Sequence, residues 1–220
     1  MLKIHDAVRQ ILFDDEVALI SLSLGYLNLS AYAKKVEGEV EKMTKKDVGV
    51  PSIVVSLSRI GSELGNVNPL IQDIEIENVT TKSPLSEIVF PKSPRFLSKL
   101  SSLYEEVKTT GADFLTMTLS TNEITVICSD RIKEAVIRHF GCKPTMDISG
   151  LASVGLSLDP KYYPMPNITY SLIRRIAVKR IALAETITSH TEIIFVLSQK
   201  YLAEIVGLFD VTGQAISSVD

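Results

Sequence analysis

The sequence has few of the residues and runs that mark several common classes of protein. Its 220 residues include two cysteines, Cys128 and Cys142, and no tryptophan, so a disulfide framework is not what organises the fold. No apolar run approaches the roughly 18 residues of a membrane-spanning helix. The N-terminal stretch reaches charge at Lys3, which is not typical of a signal peptide. These absences predict a cytoplasmic protein with no membrane partner.

Signatures of catalysis and of phosphate binding are also missing. The sequence contains no glycine-rich phosphate loop and no Gly-x-Ser-x-Gly nucleophile motif. His139 and Cys142 lie three residues apart, as two metal ligands can, but zinc needs three or four ligands and no second pair is nearby. We therefore expect no enzymatic activity, no cofactor and no metal, and we assign these two residues a structural role.

Composition and charge indicate an ordinary globular protein. Hydrophobic residues make up 45% of the chain and charged residues 22%, and the length allows more than one domain. The 23 basic and 26 acidic side chains are nearly balanced along the whole sequence. Binding to phosphate backbones requires a strongly positive surface, so the charge counts against nucleic acid as a partner.

Apolar residues at three- and four-residue spacing predict helices in the first third of the chain. In residues 5–24 a break is expected near Asp15, and the predicted apolar stripe comprises Val8, Ile11, Leu12, Val17, Ile20 and Leu24. A second helix begins at Asn28 or Ser30 as the N-cap, and Pro51 suits the first turn of a third helix. The turn-rich stretch GNVNP at 65–69 then predicts a boundary, so that residues 1–66 form a helical domain.

Beyond residue 70 the apolar period changes from helical to alternating. The sequence LIQDIEIENV predicts a strand, the Ser/Pro-rich stretch 82–94 predicts a loop, and residues 95–111 predict one helix that ends at Gly111. Two strands joined by Thr121 and Asn122 follow, then a helix that begins near Asp130 and a final strand near 143–149. This is the element order of a split, ferredoxin-like βαββαβ unit.

The same order recurs after residue 150. Aligning Glu123 with Glu192, an offset of 69 positions, places apolar residues on apolar residues: Val126 on Phe195, Val136 on Ile205 and Phe140 on Phe209. Such self-similarity indicates an internal repeat. We therefore predict an α+β fold in which the N-terminal helical domain, residues 1–66, precedes two ferredoxin-like domains at 70–149 and 150–220.

The second repeat resembles an ACT domain, the small amino-acid-sensing module. The resemblance rests on residues 158–209, with the proline-bearing loop YPMPN, the helix ITYSLIRRIAVKRI, the hairpin ALAETITSHTEIIFVLSQ and a closing helix. It is similar in particular to the paired ACT domains at the regulatory end of aspartate kinases, with residues 70–149 as a more divergent copy. A helical start followed by two ACT-like units also resembles uncharacterised archaeal proteins that join a helix-turn-helix-like segment to ACT domains.

The resemblance implies a ligand site between the first loop and the second strand of a paired module. Asp159, just before the loop, is expected to meet an ammonium group. The other residues implied are the loop positions Met165, Pro166, Asn167 and Ile168 and the strand positions Glu185, Thr186 and Ile187. The family usually has glycine after the loop proline, and Asn167 stands there in this sequence. Because asparagine tolerates the left-handed conformation, we expect the loop geometry to be kept.

Two simpler interpretations stay open at these positions. Pro166 and Asn167 can form only a turn and a helix cap, because fold alone does not deliver function. Glu123 and Glu192 occupy equivalent hairpin positions, which favours a turn-stabilising or solvent-facing role over ligand contact. His190 lies in the same turn, where a single histidine is usually solvated.

The N-terminal segment poses a separate question. Helices at 28–44 and 52–64 resemble a helix-turn-helix, although the intervening turn is longer than in the strict motif. Candidate DNA contacts are Lys45, Lys46, Ser52, Ser56 and Arg59, if the third helix exposes its serines. One arginine among serines is a poor phosphate clamp, so dimerisation is at least as good an interpretation.

These observations predict a non-catalytic regulatory protein that senses a small molecule, an amino acid, through paired ACT-like domains. The same resemblance implies a homo-oligomer formed by pairing of ACT sheets. Two alternatives remain: a ligand-responsive transcription regulator that binds DNA through the helical domain, and a structural assembly module without a ligand.

Overall fold

The computed structural model describes residues 2–65, 70–107 and 113–209. The chain divides into two compact units, Met1–Asp73 and Ile74–Asp220. Within the described ranges, no helix combines the length and apolar character that crossing a membrane requires.

The described part of the first unit consists of four helices around one apolar core. Their bounds are α1 (Ile4–Asp14), α2 (Glu16–Ser23), α3 (Leu29–Thr44) and α4 (Val50–Leu64). Fully buried side chains from all four helices form the core, among them Val8, Leu12, Leu19, Ala33, Val40, Ile53 and Leu57. The helical prediction for this region is confirmed. Residues 66–69 of the predicted boundary lie outside the described residues.

Asp15 separates α1 from α2, at the predicted break. Its side chain accepts a hydrogen bond from the N–H of Ala18 at 3.0 Å and another from Lys35 Nζ at 3.1 Å. The predicted stripe did not allow for a change of helical phase at this break. Val17 is 75% exposed and Leu24 is exposed, whereas Ala18, Leu19 and Leu22 are buried. The prediction was therefore wrong for Val17 and Leu24.

The predicted start signals of the next two helices are confirmed. Asn28 caps α3 by accepting a hydrogen bond from the N–H of Ala31 at 3.0 Å. Pro51 lies in the first turn of α4, where proline's missing N–H is not needed.

The described part of the second unit has one antiparallel sheet of six strands in the order β2-β3-β1-β4-β6-β5. The strands are β1 (Ile76–Pro91), β2 (Leu115–Leu119), β3 (Glu123–Ser129), β4 (Met146–Leu158), β5 (Leu183–Thr188) and β6 (Glu192–Ser198). The helices are α5 (Pro94–Leu97), α6 (Leu103–Val107), α7 (Asp130–Phe140), α8 (Ile168–Ala177) and α9 (Leu202–Phe209), with short 3-10 helices at Pro160–Tyr162 and Gln199–Tyr201.

The register of the sheet confirms the internal repeat. Met117 lies opposite Val126 in the first hairpin, and Thr186 lies opposite Phe195 in the second. Both positions shift by 69, as the sequence alignment predicts. The first strands match as well, because Leu85 pairs with Ser129 and Leu151 pairs with Ser198. These partners are 44 residues apart in the first repeat (129 − 85) and 47 in the second (198 − 151), so the second repeat has three additional residues before its hairpin.

Most of the Ser/Pro-rich stretch 82–94 and the strand predicted near 143–149 belong to two long strands, β1 and β4. The Ser/Pro-rich stretch 82–94 was not predicted as a strand, but β1 continues through it to Pro91, because residues 85–89 pair with β3 on one side and with β4 on the other. The final strand predicted near 143–149 and the first strand of the second repeat are a single strand, β4. The predicted boundary at 149/150 therefore falls within β4, next to Gly150 with φ 73°.

The two repeats share these long strands. Residues 146–148 of β4 pair with the second half of β1 and complete the first repeat. Residues 76–82 of β1 pair with the second half of β4 and take the place of a fourth strand in the second repeat. Each half thus has the ferredoxin-like strand order, β2-β3-β1-β4 and β5-β6-β4-β1, and the α+β fold class is confirmed.

The helix predicted for 95–111 is instead two short helices, α5 and α6. Ser98 and Ser102 lie between them, and each side-chain oxygen donates to a nearby backbone carbonyl, of Arg95 and Lys99 respectively. Such local hydrogen bonds compete with helix formation. The predicted end at Gly111 lies outside the described residues.

Candidate ligand site

The hairpin turns of the two repeats have matching hydrogen bonds. In the first turn the N–H of Ser120 donates to the carbonyl of Glu123 at 3.0 Å, and the N–H of Glu123 donates to Ser120 Oγ at 3.1 Å. In the second turn Ser189 and Glu192 form the same pair, at 2.8 Å and 3.1 Å. Both glutamates therefore close their turns through their backbone N–H and carbonyl groups, and these bonds do not involve the glutamate side chains.

The segments that follow the first strand differ between the repeats. In the first repeat Lys92 Nζ donates to the carbonyl of Ser120 at 2.9 Å, and α5 begins two residues later at Pro94. In the second repeat nine residues, 159–167, separate β4 from α8. The chain closes over the turn in the first repeat and leaves room beside it in the second.

A cavity of about 270 Å³ lies between this longer loop, the first turn of α8 and the turn of the β5-β6 hairpin. The end of β4 contributes residue 158, the loop and α8 contribute 159, 162, 163, 165 and 167–170, and the hairpin contributes 188–193. The structure thus brings Asp159, Met165, Asn167 and Ile168 together at one cavity. Pro166 lies between two of these residues in the loop without lining the cavity.

The three strand residues implied by the resemblance lie elsewhere. Glu185, Thr186 and Ile187 are in β5, an edge strand that pairs with β6 in the described sheet, and they do not line the cavity. Ile187 packs instead with the buried cluster of Leu85, Ile127, Leu151 and Val196. Within this chain the cavity is lined by the hairpin turn and by Thr188 at the end of β5, and not by residues 185–187.

Asp159 already has a cationic partner in the chain. Its carboxylate accepts a hydrogen bond from the N–H of Lys161 at 2.8 Å and pairs with Lys161 Nζ at 3.1 Å. The backbone hydrogen bond, followed by the side-chain hydrogen bond, lowers the pKa of Asp159. This carboxylate is therefore already paired within the loop, and its expected role of meeting a ligand's ammonium group stays a prediction.

Asn167 adopts the left-handed conformation predicted for it, with φ 64° and ψ 11°. Its carbonyl accepts hydrogen bonds from the N–H of Ser171 at 2.9 Å and from Ser171 Oγ at 2.8 Å. Asn167 is the N-cap residue of α8, as the helix-cap interpretation expects, although in the described structure its side chain forms no capping hydrogen bond. The first turn of α8 faces the cavity through Ile168, Thr169 and Tyr170.

Aromatic rings form a wall of the cavity that sequence reasoning missed. Tyr162 is 8% exposed, and its hydroxyl oxygen accepts a hydrogen bond from the N–H of Glu75 at 3.1 Å. The rings of Tyr163 and His190 lie 4.4 Å apart between centroids, so His190 contacts the loop rather than solvent alone. The signal lies in the three additional residues of the second repeat, which the strand register reveals and which the ungapped alignment of the two hairpins did not show.

The lining of the cavity combines apolar and acidic groups. Leu158, Ile168 and Ile193 supply apolar surface, Asp159 and Glu192 are the acidic lining residues, and the lining residues of this described cavity include no lysine or arginine. Glu192 Oε1 lies 2.6 Å from the position that a β-carbon on Gly155 would occupy. The lining therefore offers apolar surface and no basic side chain that could pair with a polyanion. Among the described residues no cluster of three or more potential metal ligands occurs.

His139 has structural contacts. Its Nε2 lies 2.7 Å from the carbonyl oxygen of Lys99, and Lys99 Nζ donates to the carbonyl oxygen of His139 at 2.6 Å. These contacts fasten the end of α7 to the segment between α5 and α6.

The candidate DNA contacts are only partly at the surface of the helical unit. Lys45, Lys46, Ser52 and Arg59 are exposed. Ser56 is 7% exposed, and its Oγ donates to the carbonyl of Ser52 at 3.0 Å. Its expected exposure was wrong because it follows the buried Ile53 by three residues and precedes the buried Leu57 and Ile60 on the core side of α4.

No protein-family model matches this sequence, and no curated protein matches it. The fold, however, is similar to solved structures of aspartate kinases. The kinase from Synechocystis aligns over 78% of this chain and 32% of its own, with 12% identity and a TM-score of 0.52. The allosteric enzyme from Clostridium acetobutylicum aligns over 63% and 35%, with 10% identity and a TM-score of 0.51. The ligand-free regulatory subunit from Thermus thermophilus aligns over 61% and 95%, with 12% identity and a TM-score of 0.49.

At these identities the similarity concerns the fold alone. The second unit has a ferredoxin-like, ACT-type arrangement, and this chain shares its fold with these aspartate kinases. This chain spans about a third of the length of the two full kinases, as the 32% and 35% coverages show.

Proposed function

We propose that this chain is a non-catalytic regulatory protein that binds a small molecule, an amino acid, in the cavity of the second repeat. The observation that supports the proposal is the asymmetry between two otherwise matching repeats. The hairpin turns keep the same hydrogen bonds, yet only beside the second turn does the described chain lengthen its loop and form this cavity. A loop that departs from its scaffold in this way is a common location for binding function.

The cavity has features that suit a free amino acid. Its volume of about 270 Å³ is just below the range of roughly 300–1,000 Å³ typical of sites for drug-sized ligands. The first turn of α8 offers the positive end of a helix dipole to a ligand carboxylate, and the acidic lining residues Asp159 and Glu192 favour a ligand that carries an ammonium group. Leu158, Ile168 and Ile193 would contact the ligand's side chain.

Pairing of two copies is part of the proposal. Strands β2 and β5 are the two edges of the described sheet, and exposed edges are surfaces on which another strand can pair. A second copy that pairs along β5 would bury Glu185, Thr186 and Ile187 in the interface. Regulation then follows from linkage, because a ligand that binds one arrangement more tightly shifts the population toward it. Light scattering at several protein concentrations, with and without amino acids, measures whether such pairing occurs.

A thermal-shift screen against the twenty standard amino acids, with nucleotides as controls, tests the binding step. A ligand at a hundredfold over its Kd stabilises the folded state by about 2.7 kcal/mol, and each kcal/mol raises the Tm by about 2–4 °C at this chain length. The chain offers a matched pair of variants for the follow-up. Glu192→Gln changes the cavity, and Glu123→Gln makes the same change at the equivalent turn of the first repeat.

The outcomes separate the proposal from its alternatives. A shift that one amino acid or a related group produces, that survives in Glu123→Gln and that shrinks in Glu192→Gln, supports the sensor. A flat panel for the wild type rejects amino-acid sensing and favours an assembly module. Retention on duplex DNA with a steep salt dependence would instead favour the transcription regulator.

A further inference from the structure

The buried ring of Tyr162 connects the cavity to the beginning of the sheet. Tyr162 lines the cavity, and its hydroxyl oxygen accepts the hydrogen bond from the N–H of Glu75 at 3.1 Å. Glu75 is the residue before β1 begins at Ile76. The bond therefore joins two segments that are 87 positions apart in the sequence.

The surrounding contacts make this connection specific. Tyr162 packs in the same buried cluster as Ile74 and Ile76, the residues on either side of Glu75. Lys161 Nζ lies 4.9 Å from the centre of the Tyr162 ring and also pairs with Asp159 at the cavity. A change in the position of the loop 159–163 thus reaches Tyr162 through its immediate neighbours.

The far end of the connection lies at the junction between the two units of the chain. The helical unit ends at Asp73, and Ile74 begins the second unit. The first half of β1 then pairs with β4, which leads directly into the cavity loop. The sheet pairing of β1 begins at Ile76 and has a register irregularity between Ile76 and Asn78. The N–H of Glu75, one residue earlier, donates to the Tyr162 hydroxyl oxygen instead of to a neighbouring strand.

We infer that Tyr162 is a positioning residue that transmits occupancy of the cavity to residues 74–76, the segment through which the helical unit joins the sheet. This inference rests on the proposed function. A ligand that orders the loop holds the Tyr162 hydroxyl in place, and the hydrogen bond to Glu75 is then formed for a larger fraction of time. Local opening of the start of β1 becomes rarer, which amide hydrogen exchange detects directly.

The test compares residue-resolved amide exchange in the wild type, Tyr162→Phe and Tyr201→Phe. Tyr162→Phe keeps the buried ring and removes the acceptor. Tyr201→Phe is the matched control, because Tyr201 packs against the same cluster and lies outside the cavity lining. Each protein is measured in buffer and with an equal mixture of the twenty standard amino acids. Without the mixture, the N–H of Glu75 should exchange roughly 2- to 10-fold faster in Tyr162→Phe, the factor expected for one lost hydrogen bond.

The mixture distinguishes transmission from a merely structural role. In the wild type and in Tyr201→Phe it should slow exchange both in the loop 159–163 and at 74–76. In Tyr162→Phe it should slow exchange in the loop only. Slowing of the loop without slowing of 74–76 in the wild type, or equal slowing of 74–76 in Tyr162→Phe, overturns the inference and leaves the proposed function standing. No slowing anywhere in the wild type, together with a flat thermal-shift panel, overturns both.

Discussion

The N–H of Leu158 donates to the carbonyl oxygen of Thr191 at 2.8 Å, at the point where β4 ends beside the hairpin turn. The corresponding bond in the first repeat joins Lys92 to Asn122 at the same distance. Up to this bond the two repeats have equivalent frameworks, and directly after it they diverge. The cavity of the second repeat is therefore a local change of one loop on a duplicated scaffold, and substitutions near it should separate effects on the scaffold from effects on the site.

Gly155 is the first position where such a separation can be tested. A β-carbon there would lie 2.5 Å from Thr80 Oγ1 and 2.6 Å from Glu192 Oε1. The Glu192 side chain is flexible and can move, whereas Thr80 is short and β-branched, so we expect Gly155→Ala to lower the free energy of unfolding by about 1 kcal/mol, the lower end of overpacking costs. Urea denaturation measures the loss.

A second glycine in the same unit provides the control for this prediction. Gly207 lies in α9, and a β-carbon added there would have no described atom within 4 Å beyond the adjacent residues and the backbone of its own helix. Gly207→Ala should therefore raise the free energy of unfolding by about 0.5–1 kcal/mol. If Gly155→Ala proved as stabilising as Gly207→Ala, the close approach of Thr80 and Glu192 to the Gly155 backbone would be wrong.

Asn167 supports a prediction about the loop. At φ 64° a residue with an ordinary side chain pays roughly 1–2 kcal/mol, which glycine avoids and asparagine partly avoids. Asn167→Ala should therefore lower the free energy of unfolding by about 1 kcal/mol, and Asn167→Gly should be nearly neutral. Thermal unfolding of the two variants checks this order. A larger loss in Asn167→Gly than in Asn167→Ala would show that the asparagine side chain, and not the backbone conformation, is what the position requires.

Much of the fold was predictable because the apolar periods are clear in the hairpins and helices. The offset of 69 between Val126 and Phe195 is visible in the sequence, and the register reproduces it. The long strands were not predictable in the same way. Ser83 and Pro84 are typical of loops, and they lie within β1 because both edges of the following segment are paired by distant strands. Tertiary pairing outweighs local propensity at such positions.

The cavity was predictable only in part. The left-handed Asn167 follows from the preferences of asparagine and from the resemblance. The wall formed by Tyr162 and the hairpin turn does not, because it depends on which way a nine-residue loop folds over the end of a strand. Asp159 shows the limit most clearly, since its cationic partner is Lys161, two residues away, and a resemblance to a binding family gives no indication of that local ion pair.

Asp15 supports a prediction for the helical unit. The hydrogen bond from Ala18, and to a lesser extent the interaction with Lys35, lower the pKa of Asp15 from its ordinary value of 3.8. Loss of the cap in Asp15→Ala should cost about 0.5–2 kcal/mol. Asp15→Asn keeps an acceptor and removes the charge, so it isolates the electrostatic part.

The pH dependence of the Asp15 contribution has a definite sign. A carboxyl group with a lowered pKa in the folded state stabilises the fold above its unfolded pKa, and the stabilisation is lost as the pH falls through the folded pKa. The stability difference between the wild type and Asp15→Asn should therefore be present at pH 6 and should shrink below about pH 4. Urea denaturation at both pH values measures it, and an unchanged difference at low pH would contradict the ionised cap.

Glu87 leads to the opposite pH dependence in the second unit. It is 6% exposed in β1, where burial, and then the nearby carboxylate of Glu185, raise the pKa of Glu87 above its ordinary value of 4.5. Between the unfolded and the raised folded pKa the folded state binds more protons, so this residue's contribution to stability falls as the pH rises through that window. We therefore expect Glu87→Gln to be more stable than the wild type at pH 7 and to lose that advantage near pH 4.

Glu123→Gln, at an exposed position in β3, is the matched substitution and should show no such advantage. Urea denaturation across pH 4–8 measures the free energy of unfolding of the three proteins. A Glu87→Gln variant that is less stable than the wild type at pH 7 would mean that the ionised carboxylate of Glu87 stabilises the sheet.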